Sequence, residues 1–258
     1  MNLISNDTNK TNKKFNYIII GNSAAGLSAV ESIRKADEAG SILVLSYENY
    51  LNYSKPLITY YIANKVDLDN IYFKSKEFYD SRDIFVKLGV EVTKIDTEKK
   101  SIITKNHDKF YFDRLLIASG GKPIIPKINI RKDNGTNFYL DSINYKEIKG
   151  VFTLTTLDDA IKIKKYIFDN SINHVSILGG GLIGLKAAEA FLDIGLQIDI
   201  IELSERILSA TFDTEASTII EDRIRKENSN IFTYNTVEEI VVSNNKIKSL
   251  RLRDGKEI

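Results

Sequence analysis

Apolar and polar positions alternate between two periods along this chain, and the same sequence of periods occurs twice. Residues 17–20 (Tyr-Ile-Ile-Ile) form a short apolar run read as a strand. Residues 26–38 carry Leu27, Val30 and Ile33 at helical spacing, and residues 41–46 (SILVLS) read as a second strand. Much later the plan returns, with a strand at 174–178, a glycine loop at 179–184, a helix to about 194 and a strand at 197–202. The chain therefore carries two strand-helix-strand units, which predicts an α/β fold with two Rossmann-like, three-layer dinucleotide-binding domains.

The repeat extends past the units. Residues 90–120 read as three short strands joined by turns, followed by a buried apolar strand that ends in Ala118-Ser119-Gly120. In the second copy, residues from Ile231 onward give a strand, an Asn-Asn turn at 244 and 245, another strand and an Asp-Gly turn at 254 and 255, followed by three residues. By analogy with the first copy, a complete second copy adds the last hairpin strand and a further strand that closes the parallel sheet, so the sequence reads as the N-terminal part of a longer protein. Residues 122–150 hold two of the three prolines and many turn residues and read as the crossing between domains, after which Thr156 and Asp158 open a helix.

Composition narrows the function. A length of 258 residues fits two domains of ordinary size, and 43% hydrophobic residues supply a sizeable core. The 36 basic and 35 acidic residues are mixed along the chain, with no basic block to meet a phosphate backbone, so nucleic acid is not expected as a partner. No apolar stretch is long enough to cross a membrane, and the first 14 residues lack the apolar segment of a secretory signal, so a cytoplasmic protein is expected. The absence of cysteine removes disulfides, thiolate-bound metals and thiol nucleophiles together. His107 in a polar turn and His174 before a strand lack the further ligands a metal needs, and no metal site is expected.

The glycine loops carry the chemistry. Gly179, Gly181 and Gly184 are spaced so that the first makes the tight turn, the second lets backbone approach a pyrophosphate, and the third lets helix pack on strand. Leu182 and Ile183 open the helix whose N-H groups hold the anion. Glu202 lies near the expected offset of roughly 20 residues for an acid that accepts from a ribose hydroxyl and repels a 2'-phosphate, which favours NADH, although Arg206 lies nearby. In the first loop, Gly21-Asn22-Ser23-Ala24-Ala25-Gly26, serine takes the close-approach position, where its hydroxyl can bond a phosphate oxygen. Glu48 is the nearest acid after the second strand. The tyrosines at 47, 50, 53, 60 and 61 read mostly as core and rim packing.

Five ordered motifs, YIIIGNSAAGLSAVESIR, NYSKPLITYYIA, DRLLIASGGKPIIP, GVFTLTTLDDA and SILGGGLIGLKAAEAFLDIGLQIDIIEL, resemble the FAD-dependent pyridine nucleotide oxidoreductases. The resemblance is closest to the branch holding NADH:rubredoxin reductases, oxygenase-type ferredoxin reductases and the flavoprotein part of nitrite reductase. It implies FAD on the first unit, with Gly21, Ser23, Ala24, Ala25 and Gly26 at its pyrophosphate and Glu48 at its ribose. It places Lys55 and Pro56 beside the flavin, Lys55 as a modulator, and Ala118, Ser119 and Gly120 at a strand end near the cofactor. It implies NAD(P)H on the second unit, where the residues already read as the cofactor site, Gly179, Gly181, Leu182, Ile183, Gly184 and Glu202, favour NADH. The domains then run 1–14 as a disordered tail, 15–128 for FAD, 129–150 as linker and 151–258 for NADH. The implied activity passes hydride from NADH to flavin and electrons to a rubredoxin, ferredoxin or other iron-sulfur protein, with a homodimer in the full-length form.

Three departures qualify the resemblance. A lysine and a glutamate that pair beside the flavin in ferredoxin reductases are replaced by Tyr60 and Lys186, and residues 50–55 lack the redox cysteine of the relatives that reduce CoA disulfide or oxygen. The family's second flavin segment and its interface domain belong after residue 258. The alternative is a truncated, non-catalytic nucleotide-binding or assembly subunit with weak or no FAD.

Overall fold

The computed structural model describes residues 13–141, 144–227 and 229–258. In chain order the first half runs β1 (Lys13–Ile20), α1 (Ala24–Ala36), β2 (Ile42–Leu45), α2 (Leu57–Ile62), α3 (Lys76–Asp80), β3 (Ile84–Lys87), β4 (Val92–Asp96), β5 (Ser101–Thr104) and β6 (Lys109–Ile117). The second half runs β7 (Ile128–Lys132), β8 (Asn137–Leu140), α4 (Leu157–Asp169), β9 (His174–Leu178), α5 (Leu182–Asp193), β10 (Gln197–Ile201), α6 (Thr214–Lys226), β11 (Asn230–Phe232), β12 (Val237–Ser243) and β13 (Lys246–Leu252). The described residues fall into two compact units, one running up to Ser54 and taking in Leu68–Gly121, the other Lys55–Asp67 with Lys122–Ile258.

The first unit is built on one six-stranded sheet in the order β3-β2-β1-β6-β5-β4. Strands β3, β2, β1 and β6 are parallel, and β4 and β5 form an antiparallel hairpin against β6. A strand buried on both faces needs an unbroken apolar run, and the Ile18-Ile19 and Ile42-Leu43-Val44-Leu45 stretches supply it. Ile19, Ile42 and Val44 pack with Leu27 and Val30 of α1 and with Phe78 and Tyr79 of α3. Ile18, Leu43 and Leu45 pack on the opposite side with Phe15, Ile102, Phe110 and Phe112.

Two expectations change here. The predicted tail lies outside the described residues as far as residue 12, but Lys13 and Lys14 belong to β1 and pair with Phe110 and Tyr111. The cause is the next residue, Phe15, which is buried between Phe85 and Phe110 and draws the preceding backbone into the ladder. The apolar end of β6 was expected to be buried, yet Leu116 is 39% and Ile117 60% exposed. Strand β5 pairs with β6 only as far as Tyr111, so beyond that point β6 has a strand on one side alone among the described residues.

The second unit holds a parallel sheet in the order β11-β10-β9 and a mixed sheet in the order β13-β12-β7-β8. The mixed sheet corrects the reading of residues 129–150 as a linker. Ile128, Ile130 and Leu140 alternate inward and pack with Ile240, Leu250 and Leu252, while the Asn134-Gly135 turn joins β7 to β8 as a hairpin. On the other face of this sheet Glu239 is buried, and its carboxylate accepts from Asn129 Nδ2 at 2.9 Å and Arg131 Nε at 3.0 Å. Burial pushes this carboxyl up, but Arg131 and Arg251 outweigh it and hold the group below its ordinary range. The three residues after the Asp254-Gly255 turn already fold back, because Ile258 and Leu250 exchange backbone hydrogen bonds of 2.8 and 2.9 Å. Strand β9 lies at the edge of its sheet, whereas its counterpart β1 lies between β2 and β6.

Candidate dinucleotide-binding sites

The first loop leaves β1 where the Gly21 N-H donates to the Leu45 carbonyl at 2.8 Å. Gly21 has φ +114°, and a Cβ there would lie 2.1 Å from the Ala118 carbonyl oxygen, so a side chain is excluded twice over. A Cβ on Gly26 would lie 2.1 Å from the Gly21 carbonyl oxygen, which is how α1 approaches the strand so closely. Gly21, Gly26, Ala118 and Ser119 are thus brought together, and Gly120 follows with φ +72° and open space around it. Ser23 is the extended N-cap of α1 and makes no capping bond with its own hydroxyl, while Ala24 and Ala25 expose a small-residue first turn. Backbone N-H groups of that turn have no partner within the helix, the arrangement of donors that suits an anion.

The second loop repeats this geometry in the other unit. The Gly179 N-H donates to the Ile201 carbonyl at 2.9 Å, and Gly179 has φ +109°. A Cβ on Gly184 would lie 2.0 Å from the Gly179 carbonyl oxygen. Gly181 faces open space, and the first helical residues Leu182 and Ile183 are 56% and 66% exposed.

The two acids differ. Glu202 immediately follows β10, and its carboxylate accepts from the Gly180 N-H at 2.6 Å and the Ser204 N-H at 2.7 Å. Burial pushes this carboxyl up, but the N-H groups of Ser204 and Gly180 outweigh it and hold it below its ordinary value. In the first unit the residue in the same register is Ser46: its N-H donates to Lys87 as that of Glu202 donates to Phe232. Glu48 lies two residues farther on and accepts from Tyr53 Oη at 2.5 Å. Tyr53 is buried, whereas Tyr47 is 56% exposed.

Lys55 and Pro56 are not in the unit of the first loop; Lys55 Nζ donates to the Thr155 carbonyl at 3.1 Å within the second unit. Tyr60 is there too, with Lys186 Nζ 4.9 Å from its ring centre; Lys186 is itself paired with Glu189. Arg206 pairs with Glu205 and turns toward the carbonyls of Ser209 and Phe212, both at 3.4 Å. His174 Nε2 lies 3.1 Å from the buried Asp199 carboxylate, and among the described residues no group of three or more His, Cys, Asp or Glu side chains could hold a metal.

Sequence reasoning passed over Asn22. It is buried at 7% exposure inside the first loop, and its Nδ2 has no hydrogen-bond partner. The sequence signal was its place inside a glycine loop, but a buried donor without an acceptor is visible only in the fold.

A glycine loop built twice, each between a parallel strand and a helix, defines a dinucleotide-binding α/β protein. The chain belongs to the pyridine nucleotide-disulphide oxidoreductase family, which residues 15–258 match, and that family is one of enzymes. The sequence is 30% identical over 215 residues to the NAD(P)H sulfur oxidoreductase (CoA-dependent) of Pyrococcus abyssi, covering 83% of this chain and 45% of that one. It is 28% identical over 229 residues to the NADH-rubredoxin oxidoreductase of Clostridium acetobutylicum, covering 88% of this chain and 55% of that one. A solved ferredoxin reductase from Rhodopseudomonas palustris shares the fold with a TM-score of 0.82 at 22% identity, over 94% of this chain and 56% of that one. The chain spans about half the length of the curated relatives it matches.

Proposed function

We propose that this chain belongs to an FAD-dependent NADH oxidoreductase that passes electrons to a small iron-sulfur protein such as a rubredoxin or ferredoxin. The observation that carries the reading is the twinned loop, in which the closing glycine of each copy meets the carbonyl of the opening glycine at 2.1 and 2.0 Å from its absent Cβ. One chain thereby offers two dinucleotide cradles, as hydride transfer between a nicotinamide and a flavin requires.

The residues present fit both groups. For FAD, the Gly21-Gly26 loop, the uncapped first turn of α1 and the unpartnered donor of Asn22 supply hydrogen-bond donors. For NADH, Gly181 leaves room for close approach, and an ionised Glu202 offers its remaining lone pairs to ribose hydroxyls. That carboxylate repels a 2'-phosphate, and Arg206 is committed to Glu205, both of which support NADH over NADPH. Flavin, once bound, would supply the redox chemistry between NADH and a one-electron acceptor; this chain's residues bind and orient. Similarity to the NADH-rubredoxin oxidoreductase of Clostridium acetobutylicum supports the acceptor class.

The visible spectrum of the purified chain, as isolated and after incubation with FAD, tests the proposal. A flavin band that bleaches on anaerobic addition of NADH is expected. A protein that stays colourless after reconstitution sinks the reading for this chain and favours the non-catalytic alternative.

A further inference from the structure

We infer that Asn22 is a flavin-dinucleotide-binding residue, and that Tyr79 and Asn52 are positioning residues that fix which end of its amide is presented to the nucleotide. The inference rests on FAD occupying the first loop.

The three side chains form a directed relay, all within the first unit. It starts at Asn52, 1% exposed, which grips the backbone of Lys74 at two points. Asn52 Oδ1 accepts from the Lys74 N-H at 2.6 Å, and Asn52 Nδ2 donates to the Lys74 carbonyl at 3.1 Å. A backbone N-H can only donate and a carbonyl can only accept, so this clamp admits one orientation of the Asn52 amide. Its Nδ2 is then also the donor to Tyr79 Oη, at 2.7 Å. Tyr79 receives that bond on its oxygen, which leaves its single proton to be donated onward, to Asn22 Oδ1 at 2.8 Å. Asn22 Oδ1 is thereby occupied, and the amide is left with its Nδ2 as the free end.

Flipping Asn22 does not relieve this. The flip sets an NH2 group against a tyrosine oxygen that already accepts from Asn52, and the tyrosine proton then has no acceptor. The relay thus holds a buried donor without an acceptor, an arrangement that native interiors rarely keep unless an ordered water or a ligand completes it.

The second loop shows where this position faces. Asn22 follows Gly21 as Gly180 follows Gly179, and a Cβ on Gly180 would point at Ile207 and at Glu202, 3.3 Å from its Oε2. The position therefore faces the segment that follows the second strand, where the acid proposed for the ribose stands. In the second unit an acid stands there and offers acceptors. In the first unit Ser46 stands in the register of Glu202, and Asn22 offers a donor instead. The matching ligand group is an acceptor oxygen of the adenylate half of FAD, a phosphate or ribose oxygen.

The test compares FAD titrations of the full chain with those of Asn22→Ala, Asn22→Asp, Tyr79→Phe and Asn52→Asp, alongside NADH titrations and thermal melts without cofactor. Asn22→Ala is expected to weaken FAD binding about 10-fold or more, and Asn22→Asp further, because it sets a carboxylate where a donor is needed. Tyr79→Phe frees the amide to turn and should cost a few-fold. Asn52→Asp makes Tyr79 donate back toward residue 52, turns its oxygen to accept from Asn22 Nδ2 and should weaken FAD binding in a protein that keeps the tyrosine ring. NADH affinity stays unchanged in all four, and Asn22→Ala, which exchanges an unmet amide donor for an unmet Tyr79 proton, shifts the cofactor-free melting temperature far less than it weakens FAD binding. FAD affinity of Asn22→Ala within two-fold of the wild type overturns the inference, as does an FAD loss matched by an equal loss of cofactor-free stability. Failure of the wild-type chain to take up FAD overturns the reading beneath it and the inference with it.

Discussion

Glu202 shows how much one residue of this protein does. Its carboxylate is held by two backbone N-H groups and is also the acceptor proposed for the NADH ribose. Because its pKa in the folded chain lies below the ordinary glutamate value of about 4.3, it is charged throughout the neutral and mildly acidic range. The sign follows: the stabilisation from the ionised group is present above the unfolded pKa and is lost as pH falls through the lower folded value. NADH affinity measured against pH is therefore expected to be flat from about pH 8 to 5, declining only in more acid solution, and Glu202→Gln should lower it about 10-fold at neutral pH. A midpoint near neutrality would contradict this assignment. Glu202 was legible in the sequence because strand, loop and acid follow in order. Asn22 was not, because its chemistry is set by Asn52 and Tyr79, and a relay spread over three distant positions leaves no spacing to read.

At the scale of elements, the strand-loop-helix unit depends on contact between backbones. Gly26→Ala and Gly184→Ala each drive a methyl to within 2.1 and 2.0 Å of a carbonyl oxygen, and the helix has to move away. Each is expected to cost roughly 1–3 kcal/mol in thermal or chaotrope unfolding and to weaken the cofactor of its own loop. Gly181→Ala, whose Cβ meets open space, should leave stability intact and affect NADH binding alone. The β7–β8 hairpin teaches the opposite lesson about legibility. Its Asn134-Gly135 turn and the alternation of Ile128 and Ile130 were visible in the sequence, but the nearby prolines and turn residues concealed them. The deciding partner, β12, lies more than a hundred residues away and pairs in parallel, a contact that local periodicity does not reveal.

For the molecule as a whole, the assignment of one cofactor to each loop predicts two separate footprints in hydrogen exchange. FAD is expected to slow exchange at residues 21–27 and around Glu48, and NADH at residues 179–185 and around Glu202; protection by NADH at the first loop would reverse the assignment. The α/β class and the duplication were readable because each copy restates the same order of periods. The division of the chain was not, since residues 55–67 leave the first unit and are held in the second. Helix α2 buries Ile58 and Ile62 there, Lys164 Nζ donates to the Tyr61 carbonyl at 2.8 Å, and Lys65 pairs with Asp193 at 2.6 Å. The polypeptide consequently passes from one unit to the other three times, and no single cut yields either of them whole. A fragment ending at Gly121 would carry two stranded isoleucines, and one beginning at Lys122 would lack the helix that Lys164 holds and the lysine after it that Asp193 pairs with.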